Sequence, residues 1–307
     1  MSPVHPDVAF YCVADRGYFL GAVGLINSLR LVGHDEPIYL LDAGLDAGQR
    51  ALIAEQATIV GPFGDTPPWL LKAVAPLAHP AEVMMLLDVD LIVVRQLDEL
   101  LAGAAAGQSS PRRTGRVVAF RNNMDRFVPE WGQLLGLGTI ERRPYLCSAA
   151  VALARDPGIA ILELMDELRG AVDFGRTHWR RDEAGYPFLY ADQDVLNAIF
   201  CARVSAEQIV GLDHRLAPAI PFDGISVVDE TSLRLAAASG EDPYVIHQQL
   251  SPKPWQAPAF DGVYSRLLRR LLGGDDVAIR VPSTQIPLRL RTGPLAYVER
   301  RRVDLGQ

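Results

Sequence analysis

The chain has 307 residues, 49% of them hydrophobic and 22% charged, which suits one or two globular domains with a sizeable core and excludes a disordered or fibrous chain. Thirty basic residues against 37 acidic leave a net charge of −7, which argues against general nucleic-acid binding. No apolar run approaches the ~20 residues of a membrane span. The first six residues carry no basic or apolar leader, and three scattered cysteines (Cys12, Cys147, Cys201) fit reduced thiols and no zinc spacing. A cytoplasmic location is therefore expected.

Val8 to Ala14 is a short apolar run that predicts a buried strand, with a turn at Asp15-Arg16-Gly17. Tyr18 to Val32 carries apolar residues at helical spacing. Pro37 to Asp42, Asp46 to Gln56 and Thr58 to Val60 then read as strand, helix and strand, so the chain opens with parallel βαβ units. Pro67 to Ala78 predicts another helix, interrupted by prolines. Val83 to Leu87 is a continuous apolar strand, as expected for one buried on both faces. Leu91 to Val94, Val117 to Phe120 and Leu146 to Ala154 add strand-like runs, and Ala102 to Ser110, with Arg112, Arg113 and Arg116 beyond it, reads as a loop. Asp192 to Cys201 predicts a helix and Tyr244 to His247 a late strand. From Tyr264 to Gln307 there are nine Arg against four acids; Arg266 to Leu272 reads as an amphipathic basic helix, and the alternation from Ile279 to Arg291 as one or two strands. The expected division is a main domain over 1–263 and a basic extension over 264–307, serving a subunit interface or a peripheral membrane contact.

Only two of the 30 basic residues are Lys: Lys72 and Lys253. In a chain this rich in Arg, these are candidates for places that want a compact ammonium, as at phosphates, or else are chance survivors on the surface. Asp88-Val89-Asp90 ends the Val83 to Leu87 strand, where open α/β sheets place ligands. Two carboxylates there suit Mg²⁺ or Mn²⁺ bound to a diphosphate, or are simply an acidic turn. His247 ends the late strand, six residues before Lys253, which is held between Pro252 and Pro254 and followed by Trp255. A lone His is more often structural, but a ligating imidazole beside a backbone-restrained ammonium suits a leaving diphosphate. Asp192-Gln193-Asp194 either starts a helix or aims polar groups at a sugar. Asp15 and Tyr18 either cap and pack the first βα turn or hold a nucleotide there.

In this order the Asp15…Tyr18 loop, Lys72, Asp88-Val89-Asp90, Asp192-Gln193-Asp194 and His247…Lys253-Pro254-Trp255 resemble glycosyltransferase family 8, over roughly residues 8–256. The family consists of retaining, nucleotide-sugar-dependent enzymes of GT-A fold, including glycogenin and bacterial lipooligosaccharide galactosyltransferases. The resemblance implies an α/β fold with a Rossmann-like, mostly parallel central sheet and helices on both faces. It implies transfer of a hexose from a nucleotide diphosphate sugar, UDP by preference, to a hydroxyl of a sugar, small molecule or lipid-linked glycan. Asp88, Asp90 and His247 would bind Mn²⁺ (or Mg²⁺), Lys253 the diphosphate with Trp255 beside it, and Asp15 and Tyr18 the uridine. Lys72, Asp192 and Gln193 would face the donor sugar as catalytic residues. Two departures stand out: Leu250 replaces the signature glycine, and Cys147-Ser148-Ala149 replaces Asn-Ser-Gly or Asn-Ala-Gly in the sugar pocket.

No acid is obviously placed as a nucleophile, and Gln193 is a weak one, so front-side displacement is expected. The acceptor site is expected in Asn122 to Arg143 or in the ring- and charge-rich segment Phe174 to Tyr190. Two other readings are a haloacid-dehalogenase-type phosphatase, using Asp88 and Asp90 with Asp275-Asp276 as its later acidic pair, and a non-catalytic nucleotide-sugar-binding scaffold.

Overall fold

In the computed structural model, residues 7–64, 66–106, 116–256 and 262–291 are described. The first half alternates strand and helix: β1 (Val8–Ala14), α1 (Phe19–Leu31), β2 (Ile38–Asp42), α2 (Ala47–Ile53), β3 (Thr58–Val60), α3 (Val74–Ala78) and β4 (Val83–Leu87). After β5 (Leu91–Val93) come α4 (Asp98–Ala105), β6 (Val117–Arg121), α5 (Trp131–Leu134), β7 (Leu146–Ala154), α6 (Arg155–Leu168), α7 (Asp192–Arg203) and β8 (Ile209–Leu212). A hairpin of β9 (Ile225–Asp229) and β10 (Arg234–Ala237), then β11 (Val245–His247) and α8 (Val263–Gly273), complete the order.

Seven strands form one sheet in the order β3-β2-β1-β4-β7-β6-β8. It is mostly parallel; only β7 runs against its neighbours β4 and β6. Every residue of β4 is buried, as its uninterrupted apolar run requires. One core packs α1, α4 and α8 on one face of the sheet, and a second packs α3, α5, α6 and α7 on the other. Helix α1 is apolar nearly all round because both of its sides are covered. Its glycines permit this: a Cβ on Gly24 would lie 2.7 Å from Leu268 of α8, and one on Gly21 2.4 Å from the Val89 carbonyl. Beside the large sheet, β11 pairs antiparallel with β5 and sets His247 opposite Leu91. This small pairing joins the two halves of the site.

Four sequence expectations are corrected. Residues 67–78 form a 3₁₀ turn (Pro68–Leu70) and then the short α3, because the prolines remove helix donors. The supposed loop from Ala102 begins as the second half of α4; residues 107–115, Arg112 and Arg113 among them, lie outside the described residues. Ile279 to Arg291 forms no strand but turns through two 3₁₀ segments, Ser283–Gln285 and Leu288–Leu290, each preceded by a proline that cannot donate to a ladder. Helix α8 is amphipathic as read, but Leu267, Leu268, Leu271 and Leu272 are buried in the core shared with α1. The apolar face that a membrane contact or a subunit interface would use is therefore already covered. Fully buried Asn27 of α1 fastens this region, donating to the carbonyls of Leu271 (2.8 Å) and Ile279 (2.9 Å) and accepting from the Ile279 N–H (2.7 Å). Residues 292–307 lie outside the described residues. No described helix is long and apolar enough to cross a membrane.

Candidate active site

The fold brings two distant segments together at the C-terminal end of β4. Asp88 and Asp90 follow the strand directly, and the β5–β11 pairing lays His247 beside them. One ligand atom from each of Asp88, Asp90 and His247 falls within 4.8 Å of the others. Two carboxylates and an imidazole converging at this spacing form a donor set that fits Mn²⁺ or Mg²⁺. Among the described residues it is the only such group of three, and Asp275 and Asp276 are not in it. The phosphatase reading loses its second acidic pair: Asp276 instead pairs with Arg270 beyond α8.

Cations already crowd these carboxylates. Lys72 Nζ lies 2.6 Å from Asp88 Oδ1 and 2.7 Å from Asp192 Oδ2, joining the two acidic motifs through one ammonium. Burial opposes the charge on Lys72, but Asp192 and Asp88 outweigh it and raise its pKa. Asp90 is flanked by His247 Nε2 at 3.2 Å and Lys253 Nζ at 2.7 Å. Burial alone would raise both carboxyls. At Asp90 the two cations win and hold it well below the ordinary range. At Asp88, Lys72 opposes the burial while Asp90 and Asp192 reinforce it, and the carboxyl stays above the ordinary range. Burial likewise works against a charged His247, yet Asp90, with Cys147 beside the ring, pushes the imidazole up to about 10.

Lys253 departs from expectation. Its ammonium is 2% exposed and also donates to the carbonyls of Gln248 (2.5 Å) and Gln249 (3.0 Å). An ammonium has three donors, and all three are taken, so in this structure Lys253 supports Asp90 from behind rather than facing open space. Trp255 is also turned inward. Its indole N–H donates to the Gly17 carbonyl (2.7 Å), and its ring packs over Gly21 and edge-on to Tyr18, clamping this segment to the first βα turn. Asp15 caps that turn, accepting from the Tyr18 N–H at 2.9 Å, as its structural reading had it. Tyr18 is half-buried, with its ring 5.8 Å from the Lys253 ammonium. Leu250 is exposed, in the same loop.

Asp192 and Gln193 open α7 and face β7. The Gln193 carbonyl accepts from the Ser148 N–H (3.2 Å), and its amide donates to Tyr145 Oη (2.9 Å), so the side chain is fixed at both ends. The Tyr145 hydroxyl donates to Asp194 Oδ1, which also accepts from Arg126 Nε, and Asp194 Oδ2 accepts from the Tyr190 N–H. Asp194 is completely buried and cannot reach a substrate. It braces Gln193 through Tyr145. Sequence reasoning did not single out Tyr145 or Arg126, and it met Ser148 only within the Cys147-Ser148-Ala149 departure; each gains its meaning from what α7 presents to it.

No family model and no curated protein matches the chain. Solved structures do. An active-site mutant of LgtC superposes with a TM-score of 0.56 at 13% identity, covering 90% of this chain and 98% of that one. The galactosyltransferase LgtC in complex with donor and acceptor sugar analogues gives 0.51 at 14%, covering 85% and 95%. The bifunctional glycosyltransferase WbbM gives 0.53 at 15%, covering 88% of this chain and 50% of its own. At these identities the likeness establishes the fold, which is that of GT-A glycosyltransferases.

Proposed function

We propose that the protein is a metal-dependent, retaining glycosyltransferase of the family 8 type, moving a hexose from a UDP-sugar to a hydroxyl acceptor. One observation carries the reading: Asp88, Asp90 and His247 converge at the ligand-binding end of a GT-A sheet, with Lys72 tying them to the Asp192-Gln193 pair. A divalent cation held by those three side chains would supply Lewis acidity at the departing diphosphate. Asp15 and Tyr18 hold the uridine in the first βα turn. Lys253 neutralises Asp90 from inside, and Lys72 keeps Asp192 oriented toward the donor sugar. Gln193, locked by Ser148 and Tyr145, presents its amide to the anomeric centre and stabilises charge there without forming a bond. Asp194 is sealed, and Asp192 is engaged with Lys72 and Ser148, so no carboxylate stands free as a nucleophile and front-side displacement is favoured.

Calorimetry with UDP, GDP and TDP, in Mn²⁺ and in EDTA, tests the donor site. UDP binding that needs the metal is expected; absence of any metal-dependent nucleotide binding would refute the proposal. Donor hydrolysis by the metal-loaded protein separates an enzyme from a binding scaffold. Gln193→Ala should slow transfer with no trapped glycosyl-enzyme, and a covalent adduct in mass spectrometry would overturn the front-side step.

A further inference from the structure

A cavity lies beside Tyr145, whose hydroxyl accepts from the Gln193 amide. Its volume is about 500 Å³, and Arg121, Asn122, Asp125, Arg142, Arg143 and Tyr145 line it. That size is within the roughly 300–1,000 Å³ of small-molecule sites. In a chain of net charge −7, three arginines line one cavity. Two are partly neutralised: Arg142 pairs with Asp125 at 2.6 Å, and Arg143 with Glu141 at 2.8 Å while it also donates to the Val204 carbonyl. Arg121 is exposed, and its guanidinium makes no hydrogen bond or ion pair among the described residues. Its position is built all the same. It ends β6, and its side chain lies across Gly211 of β8, where any Cβ would come within 2.9 Å of Nε. A glycine there leaves room for the stem, so a planar donor fork is aimed into a concave space with no acceptor of its own.

One lining residue, Asn122, links the cavity to a group of aromatic side chains. Met124 donates its backbone N–H to Asn122 Oδ1 (2.9 Å), while its sulfur accepts from Tyr190 Oη (3.1 Å). Tyr190 packs 6.0 Å from the half-exposed Trp179. Tyr190 immediately precedes Ala191, a non-glycine residue at φ 45°, and then Asp192. The two segments proposed from sequence for the acceptor thus touch at Met124 and Tyr190, and Arg121 stands just before the first of them. Sugar rings stack on such faces, and a planar guanidinium fork matches the oxygens of a phosphate or carboxylate.

We infer that the acceptor is an anionic sugar whose phosphate or carboxylate is held by Arg121, with Arg142, in this cavity. This rests on the proposed glycosyl transfer and adds the acceptor's chemical class. Inorganic phosphate, titrated without metal or nucleotide and followed by NMR of the arginine Nε–H groups, should bind the wild type, bind Arg121→Gln at least tenfold more weakly, and bind Asp125→Asn more tightly, because that change frees Arg142 from its partner. The opposite signs of the two variants are not what a merely structural role would give. In transfer assays, galactose 6-phosphate and galacturonate are compared with free galactose; a charged acceptor should be preferred, the phosphate and carboxylate arms identify the group, and Arg121→Gln should raise KM for it tenfold or more. Phosphate that binds nowhere in this cavity, or binds all three proteins alike, overturns the inference, as does equal use of charged and neutral acceptors. Should metal-dependent UDP binding be absent in the wild type, the proposed function fails, while phosphate titration still decides whether the anion site exists.

Discussion

Replacing Asp90 by Asn does more than remove a metal ligand. The Lys253 side chain is 2% exposed and that of Asp90 13%, so their 2.7 Å contact is a buried ion pair. Removing one member of such a pair strands the other, at about 3–5 kcal/mol. The two members are not equivalent. Without Asp90, the Lys253 ammonium keeps only the carbonyls of Gln248 and Gln249. Without Lys253, Asp90 keeps His247 at 3.2 Å and remains compensated. Asp90→Asn should therefore cost about 3–5 kcal/mol, and Lys253→Met less, about 1–3 kcal/mol, chiefly for the carbonyls left unpaired. The double variant should cost less than the sum, by about 1.5–3 kcal/mol, the worth of a hydrogen bond to a charged group. Urea unfolding at neutral pH in EDTA reads all three against the wild type. If Lys253→Met costs as much as Asp90→Asn, or the two effects simply add, the asymmetry argued here is wrong. With total stability of about 5–15 kcal/mol, the single Asp90 variant approaches the margin of folding, so loss of metal binding in it means little until folding has been checked.

Asn27→Leu should destabilise the protein by about 3–5 kcal/mol, because it unpairs the Leu271 carbonyl and both polar groups of Ile279 in a buried site; hydrogen exchange at the Ile279 amide should accelerate with it, and unchanged exchange there would refute the assignment. The Tyr264 hydroxyl is buried with no hydrogen-bond partner. Tyr264→Phe should therefore be neutral or stabilising by up to about 1 kcal/mol in thermal unfolding, and a clear loss would mean that the hydroxyl has a partner in solution. In the metal-free protein the His247 imidazole is raised from 6.5 to about 10. A raised folded-state pKa contributes stability that is complete below 6.5 and lost as pH climbs through about 10. Stability in EDTA should fall across that window, and His247→Gln should flatten the fall; an equal slope in the variant would count against the His247–Asp90 contact.

Much of the fold was legible because its first half is locally consistent. β1, β2, β3 and β4 are each short, apolar and bounded by turn residues, and β4 is buried throughout, so the alternation of strand and helix is written in composition alone. The acidic motif was legible for a related reason: two carboxylates cannot sit inside a strand like β4, so they mark its end. What was not legible depends on partners distant in sequence. Helix α6 begins at Arg155-Asp156-Pro157-Gly158, which reads locally as a turn. It is placed where it is because Gly158 lets it press on Met84 and Leu153, where an added Cβ would come within 2.7 Å and 3.0 Å. The alternation of Ile279 to Arg291 read as strand, but the residues buried there, Ile279, Val281, Ile286 and Leu290, do not keep a period of two; they follow from turns packed into the core shared with α1 and α8.

The site divides along the same line. Residue type was enough to pick out Lys72, Asp88, Asp90, Asp192, Gln193 and His247, since a lysine in an arginine-rich chain, or an acid at a strand end, is conspicuous in sequence. Orientation was not. Lys253 and Trp255 belong to the segment that the resemblance rests on most, yet both point inward, one under Asp90 and the other against Gly17. A short, proline-bounded segment leaves the backbone restrained without saying which way its side chains face, and that is decided by β11 pairing with β5. Arg121, Arg142 and Arg143 show the converse. Each is one of 28 arginines and carries no signal in sequence, but the turn after β6 and the approach to β7 set them around one cavity. In this chain, then, the rare cation stands beside the acidic motifs that its scarcity made visible, and the common cation lines the cavity by position alone.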